Sequence, residues 1–118
     1  MRLLLPTILC VLGAPAAFGQ SFECAVVSKH RCHPYEGCQA VANTISITID
    51  VSKGVVSRCD TKGCDMIPVQ TAVSGANYNL VSAVHGYMVK ASVDGRYFSE
   101  MATLNENVFL SFGVCTKR

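Results

Sequence analysis

From Thr44 to Asp50 the chain alternates strictly, with Ile45, Ile47 and Ile49 on one side and Thr44, Ser46, Thr48 and Asp50 on the other. A period of two marks a strand with one buried face. The pattern recurs along the chain. Residues 22–28 predict a first strand, and 55–59 return after a turn at 51–54. Residues 66–73 place Ile67, Val69 and Val73 on one face. Pro68 lacks the N–H that a ladder needs, so this strand is expected at an edge or with a bulge. Residues 76–84 follow a Ser74-Gly75 turn. Tyr87, Val89, Ala91 and Val93 then share one face against Met88, Lys90 and Ser92. Asp94-Gly95 is a strong hairpin signal, and 96–104 come back. After the Asn105-Glu106-Asn107 turn, the last strand at 108–115 sets Val108, Leu110, Phe112 and Val114 on one face. Residues 29–43 have no clear period and read as a loop.

The fold class is therefore all-β. Eight strands joined mostly by short turns are antiparallel neighbours. Such a meander closes most simply into a small antiparallel eight-stranded barrel, which removes exposed edges and sets the first strand beside the last. A two-sheet sandwich is the alternative. The inward faces are Ile, Val, Leu and Phe, ample to fill a barrel of this size, so a packed core is expected over a ligand cavity.

The N-terminus has a different character. Met1-Arg2 leads into an apolar run from Leu3 to Gly13, then Ala14-Pro15-Ala16-Ala17-Phe18-Gly19. A short basic end, an apolar stretch of about ten residues and small residues at −3 and −1 make the export-signal pattern. The run falls short of the roughly 20 residues of a membrane span. Cleavage is expected after Gly19, making 1–19 a removed signal peptide and 20–118 a single domain; cleavage after Ala16 or Ala17 is the near alternative. The destination is then the periplasm or the extracellular medium. Cys10 sits inside the apolar run, fits no lipobox, and leaves with the signal.

Removing the first 19 of 118 residues leaves 99, with nine Lys and Arg against eight Asp and Glu. That near-neutral balance carries no clustered basic surface for nucleic acid. No second apolar stretch is long enough to cross a membrane, so no transmembrane segment is expected in the mature chain. Six cysteines remain: Cys24, Cys32, Cys38, Cys59, Cys64 and Cys115. An even count in a short exported chain reads as a disulfide framework, for which six cysteines allow 15 pairings. Spacing favours Cys32–Cys38 and Cys59–Cys64 as local rings and leaves Cys24–Cys115 to join the ends. The rival for His30, Cys32, His33 and Cys38 is a metal, but the spacing matches no zinc finger and no haem attachment.

Catalytic chemistry is poorly represented. His30, His33 and His85 lie beside no nucleophile motif, and no hydrolase, zincin or phosphate-loop string occurs. Asp60 and Asp65 flank the 59–64 loop, where a cation is one reading and local turn bonds the other. Glu100 reads as a solvated outer-face residue and His85 as a turn residue. Tyr78, Tyr87, Tyr97 and Phe98 are candidates for a surface patch. No cofactor is implied.

Two resemblances add to this. Arg58-Cys-Asp-x-Lys-Gly-Cys-Asp65, Asp94-Gly95, Ala102-Thr-Leu104 and Ser111-Phe-Gly-x-Cys115 together resemble small exported bacterial proteins of unknown function, which implies a shared fold and no activity. Ser74-Gly75-Ala76-Asn77-Tyr78 resembles the Ser-Gly-x-x-Tyr motif of the periplasmic inhibitors of C-type lysozyme, which are eight-stranded barrels with a disulfide joining the ends. That resemblance implies that Ser74 and a following lysine, here Lys90, enter a lysozyme active site. The tryptophan common in that family after the motif is missing, and two internal cysteine pairs are extra. The expectation is a non-catalytic exported binding or structural protein of unknown partner, with lysozyme inhibition through Ser74, Tyr78 and Lys90 as the alternative and a small-molecule carrier as the second.

Overall fold

The computed structural model describes residues 20–118; the expected signal peptide and Cys10 lie outside the described residues. Ten strands form one antiparallel sheet: β1 Ser21–His33, β2 Gly37–Ala40, β3 Ser46–Asp50, β4 Val55–Asp60, β5 Gly63–Pro68, β6 Gln70–Ser74, β7 Asn77–Ser82, β8 Tyr87–Ser92, β9 Tyr97–Leu104 and β10 Asn107–Lys117. Their spatial order is β5-β4-β3-β1-β10-β9-β8-β7-β6, with β2 paired to β1 off this path. The first and last strands lie side by side, and the sheet curls into a nearly closed barrel.

Closure depends on one bent segment. Strands β5 and β6 are separated only by Val69; β5 pairs with β4, and β6 with β7. The run expected as one strand at 66–73 is thus shared between the two margins of the sheet. Pro68 ends β5, where its missing N–H costs no ladder bond. Val69 donates its N–H to the Gly54 carbonyl at 2.9 Å, which ties the bend to the β3–β4 turn. Ile67 and Val69 pack against the core, but Val73 is 65% exposed rather than buried with them.

Two further expectations are corrected. Residues 29–43 are not a featureless loop. Strand β1 runs on to His33 and makes a hairpin with β2; with the division of the 66–73 run into β5 and β6, ten strands replace eight. Its period was hidden by a β-bulge between Val26 and Ser28. Phe22, Cys24 and Val26 face inward before the bulge. Beyond it Lys29 lies opposite the fully buried Ser111, so the inward parity has switched from even to odd numbers.

Strand β10 faces opposite to expectation. Ser111 is 0% exposed, whereas Phe112 and Val114 are 47% and 49% exposed. The inward positions are Ser111, Gly113 and Cys115. A side chain at Gly113 would run into the Ala25 carbonyl and the Phe98 ring, and Cys115 is bonded to the buried Cys24. Only small residues fit that wall, so the larger apolar ones lie outside. The core itself is Phe22, Cys24, Ile47, Ile49, Val56, Tyr78, Leu80, Tyr87, Val89, Ala91 and Phe98.

Each disulfide joins residues directly opposite on neighbouring strands: Cys24–Cys115 across β1 and β10, Cys32–Cys38 across β1 and β2, and Cys59–Cys64 across β4 and β5.

Candidate functional site

Two features of the barrel differ from an ordinary apolar-inside, polar-outside sheet. One is a polar cluster inside. Glu100 on β9 shares the inward face with Phe98, and its side chain is fully buried. This corrects the expectation that it is solvated. Arg58 on β4 reaches across the interior and places Nε 2.7 Å from Glu100 Oε2 and Nη2 3.4 Å from Oε1. The Tyr87 hydroxyl donates to the same Oε2 at 2.6 Å. A buried carboxylate needs this compensation, because an unpaired charge in the interior is costly. Burial, and then the Glu100 charge, push the Tyr87 phenol well above its ordinary value, although Arg58 opposes the shift. The Arg58 guanidinium carbon also lies 5.8 Å from the centre of the Tyr87 ring.

Lys29 and Ser111 complete this end of the barrel. They are partners across β1 and β10, and Ser111 is the partner of Glu100 across β10 and β9. Lys29 Nζ stands 5.6 Å from the centre of the Phe109 ring. Burial and the nearby Arg58 charge hold its ammonium below the ordinary lysine value, with Glu100 pulling the other way. The Ser111 hydroxyl is buried and has no hydrogen-bond partner among the described residues.

The second feature is outside. Met88, Met101 and Leu110 line up across β8, β9 and β10, with Lys90, Ser99 and Phe112 in the next row. These residues border a shallow pocket of about 220 Å³. Val114 extends the apolar surface along β10 beside Tyr97.

The residues singled out from the sequence are dispersed. Ser74 ends β6 in an exposed hairpin turn, where Gly75 has φ 60° and sits at the first central position, the place a type II′ turn reserves for glycine. Tyr78 points into the core and donates its hydroxyl to Gln20 Oε1 at 2.7 Å. Lys90 is exposed on the outer face of β8. Gly75, Tyr97 and Lys117 line an open depression of about 680 Å³ beside the turn; Lys90 does not border it. Tyr78, Tyr87 and Phe98 are buried, so of the four expected patch aromatics only Tyr97 is exposed. Asp60 Oδ1 accepts the Lys62 and Gly63 N–H groups at 2.8 and 3.1 Å, closing its own turn. His85 lies in the β7–β8 turn with Nδ1 2.7 Å from Ser82 Oγ. Cys32 and Cys38 are bonded to each other, which removes both thiols from the His30–Cys38 cluster.

Sequence reading missed Glu100, Arg58 and Lys29 as a group. The signal for Glu100 was its shared parity with Phe98. Lys29 left none, because the bulge alone turns it inward. No protein-family model matches the chain, and no curated protein or solved structure matches it either.

Proposed function

We propose that the chain is an exported, non-catalytic binding protein that offers the outer face of β8–β10 to a protein partner. The observation that carries this reading is the inverted patterning of β10. An antiparallel sheet with one wet face places polar residues outside, yet Met88, Met101, Leu110, Phe112 and Val114 make a contiguous apolar surface there. Contiguous exposed apolar patches mark interaction surfaces. Export is supported by the leading apolar segment and by six cysteines held in three disulfides, which persist in oxidising compartments. A photo-crosslinking residue at Phe112, in the exporting cell, is expected to give discrete adducts that the same residue at exposed Lys53 does not. Equal labelling from both positions, or turnover above background in hydrolase and oxidoreductase panels, overturns the reading.

A second reading, inhibition of C-type lysozyme, is favoured by the exposure of Ser74 in its turn and by the open depression beside it. Lys117 then takes the place expected for Lys90. Undiminished muramidase activity at micromolar concentrations of the protein ends this reading.

A further inference from the structure

Three features converge at the polar end of the barrel, on the inner side of the wall whose outer side carries the apolar face. The β-bulge at Val27 re-aims Lys29 inward; bulges recur beside functional sites for this reason. Glu100 is committed to Arg58 and Tyr87, and no carboxylate among the described residues lies within ion-pair distance of Lys29. Between Lys29 and Glu100 in the cross-strand row stands Ser111, whose buried hydroxyl has no partner among the described residues.

The charges facing this end are Lys29, Arg31 and Arg58 against Glu100 and Asp65. Arg31 follows Lys29 on the same face, and Asp65 lies opposite Arg58 on exposed β5. Glu106, in the β9–β10 turn at the same end, faces His33 at 3.9 Å, and Glu100 is taken by Arg58, so Lys29 is left without an ion-pair partner where burial already disfavours the bare ammonium. A buried hydroxyl that makes no bond costs free energy until something accepts its proton. A single occupant answers both demands if it is anionic and rich in acceptors.

We propose that this end of the barrel binds a small oxyanion, a carboxylate or a phosphate, through the Lys29 ammonium and the Ser111 hydroxyl, with the Arg58 guanidinium adding positive field. The rings of Phe109 and Tyr87, each already facing one of the cations, wall the site. Arg58 keeps its bond to Glu100, so occupancy leaves the cross-barrel ion pair in place. The site uses the inner side of the sheet and the apolar face the outer side.

The test is an amide-resonance titration of the oxidised protein with inorganic phosphate and, separately, with acetate, at constant ionic strength set by chloride. Saturable shifts are expected at Lys29, Glu100 and Ser111. Lys29→Met is expected to weaken binding about tenfold or more, as for loss of a charge-assisted bond. Ser111→Ala is expected to weaken it about threefold while leaving the melting temperature unchanged or higher, since it also removes an unsatisfied buried group. Lys29→Arg retains the charge and much of the affinity. Saturation by phosphate alone or acetate alone identifies which oxyanion the site takes. Linear, unsaturated shifts with both probes, or affinities unchanged in both Lys29→Met and Ser111→Ala, overturn the proposal and leave water as the partner of Ser111.

Discussion

Arg58 and Glu100 meet inside the barrel at 2.7 Å, from strands β4 and β9 that share no ladder. The pair spans the interior and adds a charged link between walls that otherwise meet there through the apolar core. Its two ends differ in exposure: the Glu100 side chain is fully buried, and that of Arg58 is 20% exposed. Glu100 therefore depends on Arg58 more than Arg58 depends on Glu100.

That asymmetry makes a testable ordering. Arg58→Met leaves a buried carboxylate with only the Tyr87 hydroxyl and is expected to cost about 3 kcal/mol, near the range for breaking a buried pair. Glu100→Gln leaves a cation that can turn toward solvent and should cost less, about 1–2 kcal/mol. The double variant is expected to be less destabilised than the sum of the two. Denaturant midpoints check this; equal costs, or strict additivity, would show that the two side chains are not energetically coupled.

Tyr87 gives the pH dependence. Its folded-state pKa lies above the unfolded phenol value of about 10. The stability this confers is fully present below pH ~10 and declines above it, by up to about 1.4 kcal/mol per pH unit as the unfolded chain releases a proton that the folded one keeps. Absorbance of ionised tyrosine should therefore show one phenol that titrates only with alkaline unfolding. Tyr87→Phe should abolish that delayed step and flatten the slope. A delayed step that survives in Tyr87→Phe would place the protected phenol elsewhere.

Much of this fold is written in local alternation. The isoleucines at 45, 47 and 49 and the Tyr87–Ala91 face point inward as their period requires, and the meander order puts Cys24 opposite Cys115. What alternation leaves open is which face is inside. On β10 the answer comes from the Phe98 ring and the Ala25 carbonyl pressing on Gly113, which are distant in sequence. On β1 a single inserted residue, Val27, reverses the parity and turns a lysine inward. Glu100 reads as polar and hence as outward until its cross-barrel partner is known. The polar cluster was illegible for that reason, since each member is explained only by the others.

The facing of β10 can be checked directly. Gly113→Ala forces a methyl group against the Ala25 carbonyl and Phe98 and is expected to destabilise by about 1–3 kcal/mol, the usual cost of overpacking. Phe112→Ser, one residue away, removes a half-exposed ring and should cost less than about 1 kcal/mol. Thermal melts of the two variants discriminate. The reverse order would mean that Phe112 is inside and Gly113 outside.

The final prediction ranks the disulfides. Cys24–Cys115 spans a sequence separation of 91, against 6 for Cys32–Cys38 and 5 for Cys59–Cys64. In the chain-entropy account, closing a loop of about 90 residues contributes about 4–5 kcal/mol, and closing one of about six contributes about 2 kcal/mol. Position reinforces the ranking. Cys24 is buried within the core and its bond staples the first strand to the last, whereas Cys59–Cys64 holds a hairpin whose β5 half is largely exposed. Replacing Cys24 and Cys115 together by Ala should therefore lower stability by at least twice as much as replacing Cys59 and Cys64. Both pairs must be changed as pairs, so that no free thiol is left to exchange. Chemical denaturation of the oxidised proteins measures the two losses, and non-reducing peptide mapping confirms that the remaining bonds keep their partners. Equal losses from the two pairs would show that native packing around the sulfurs, rather than restriction of the unfolded chain, sets what each bond contributes.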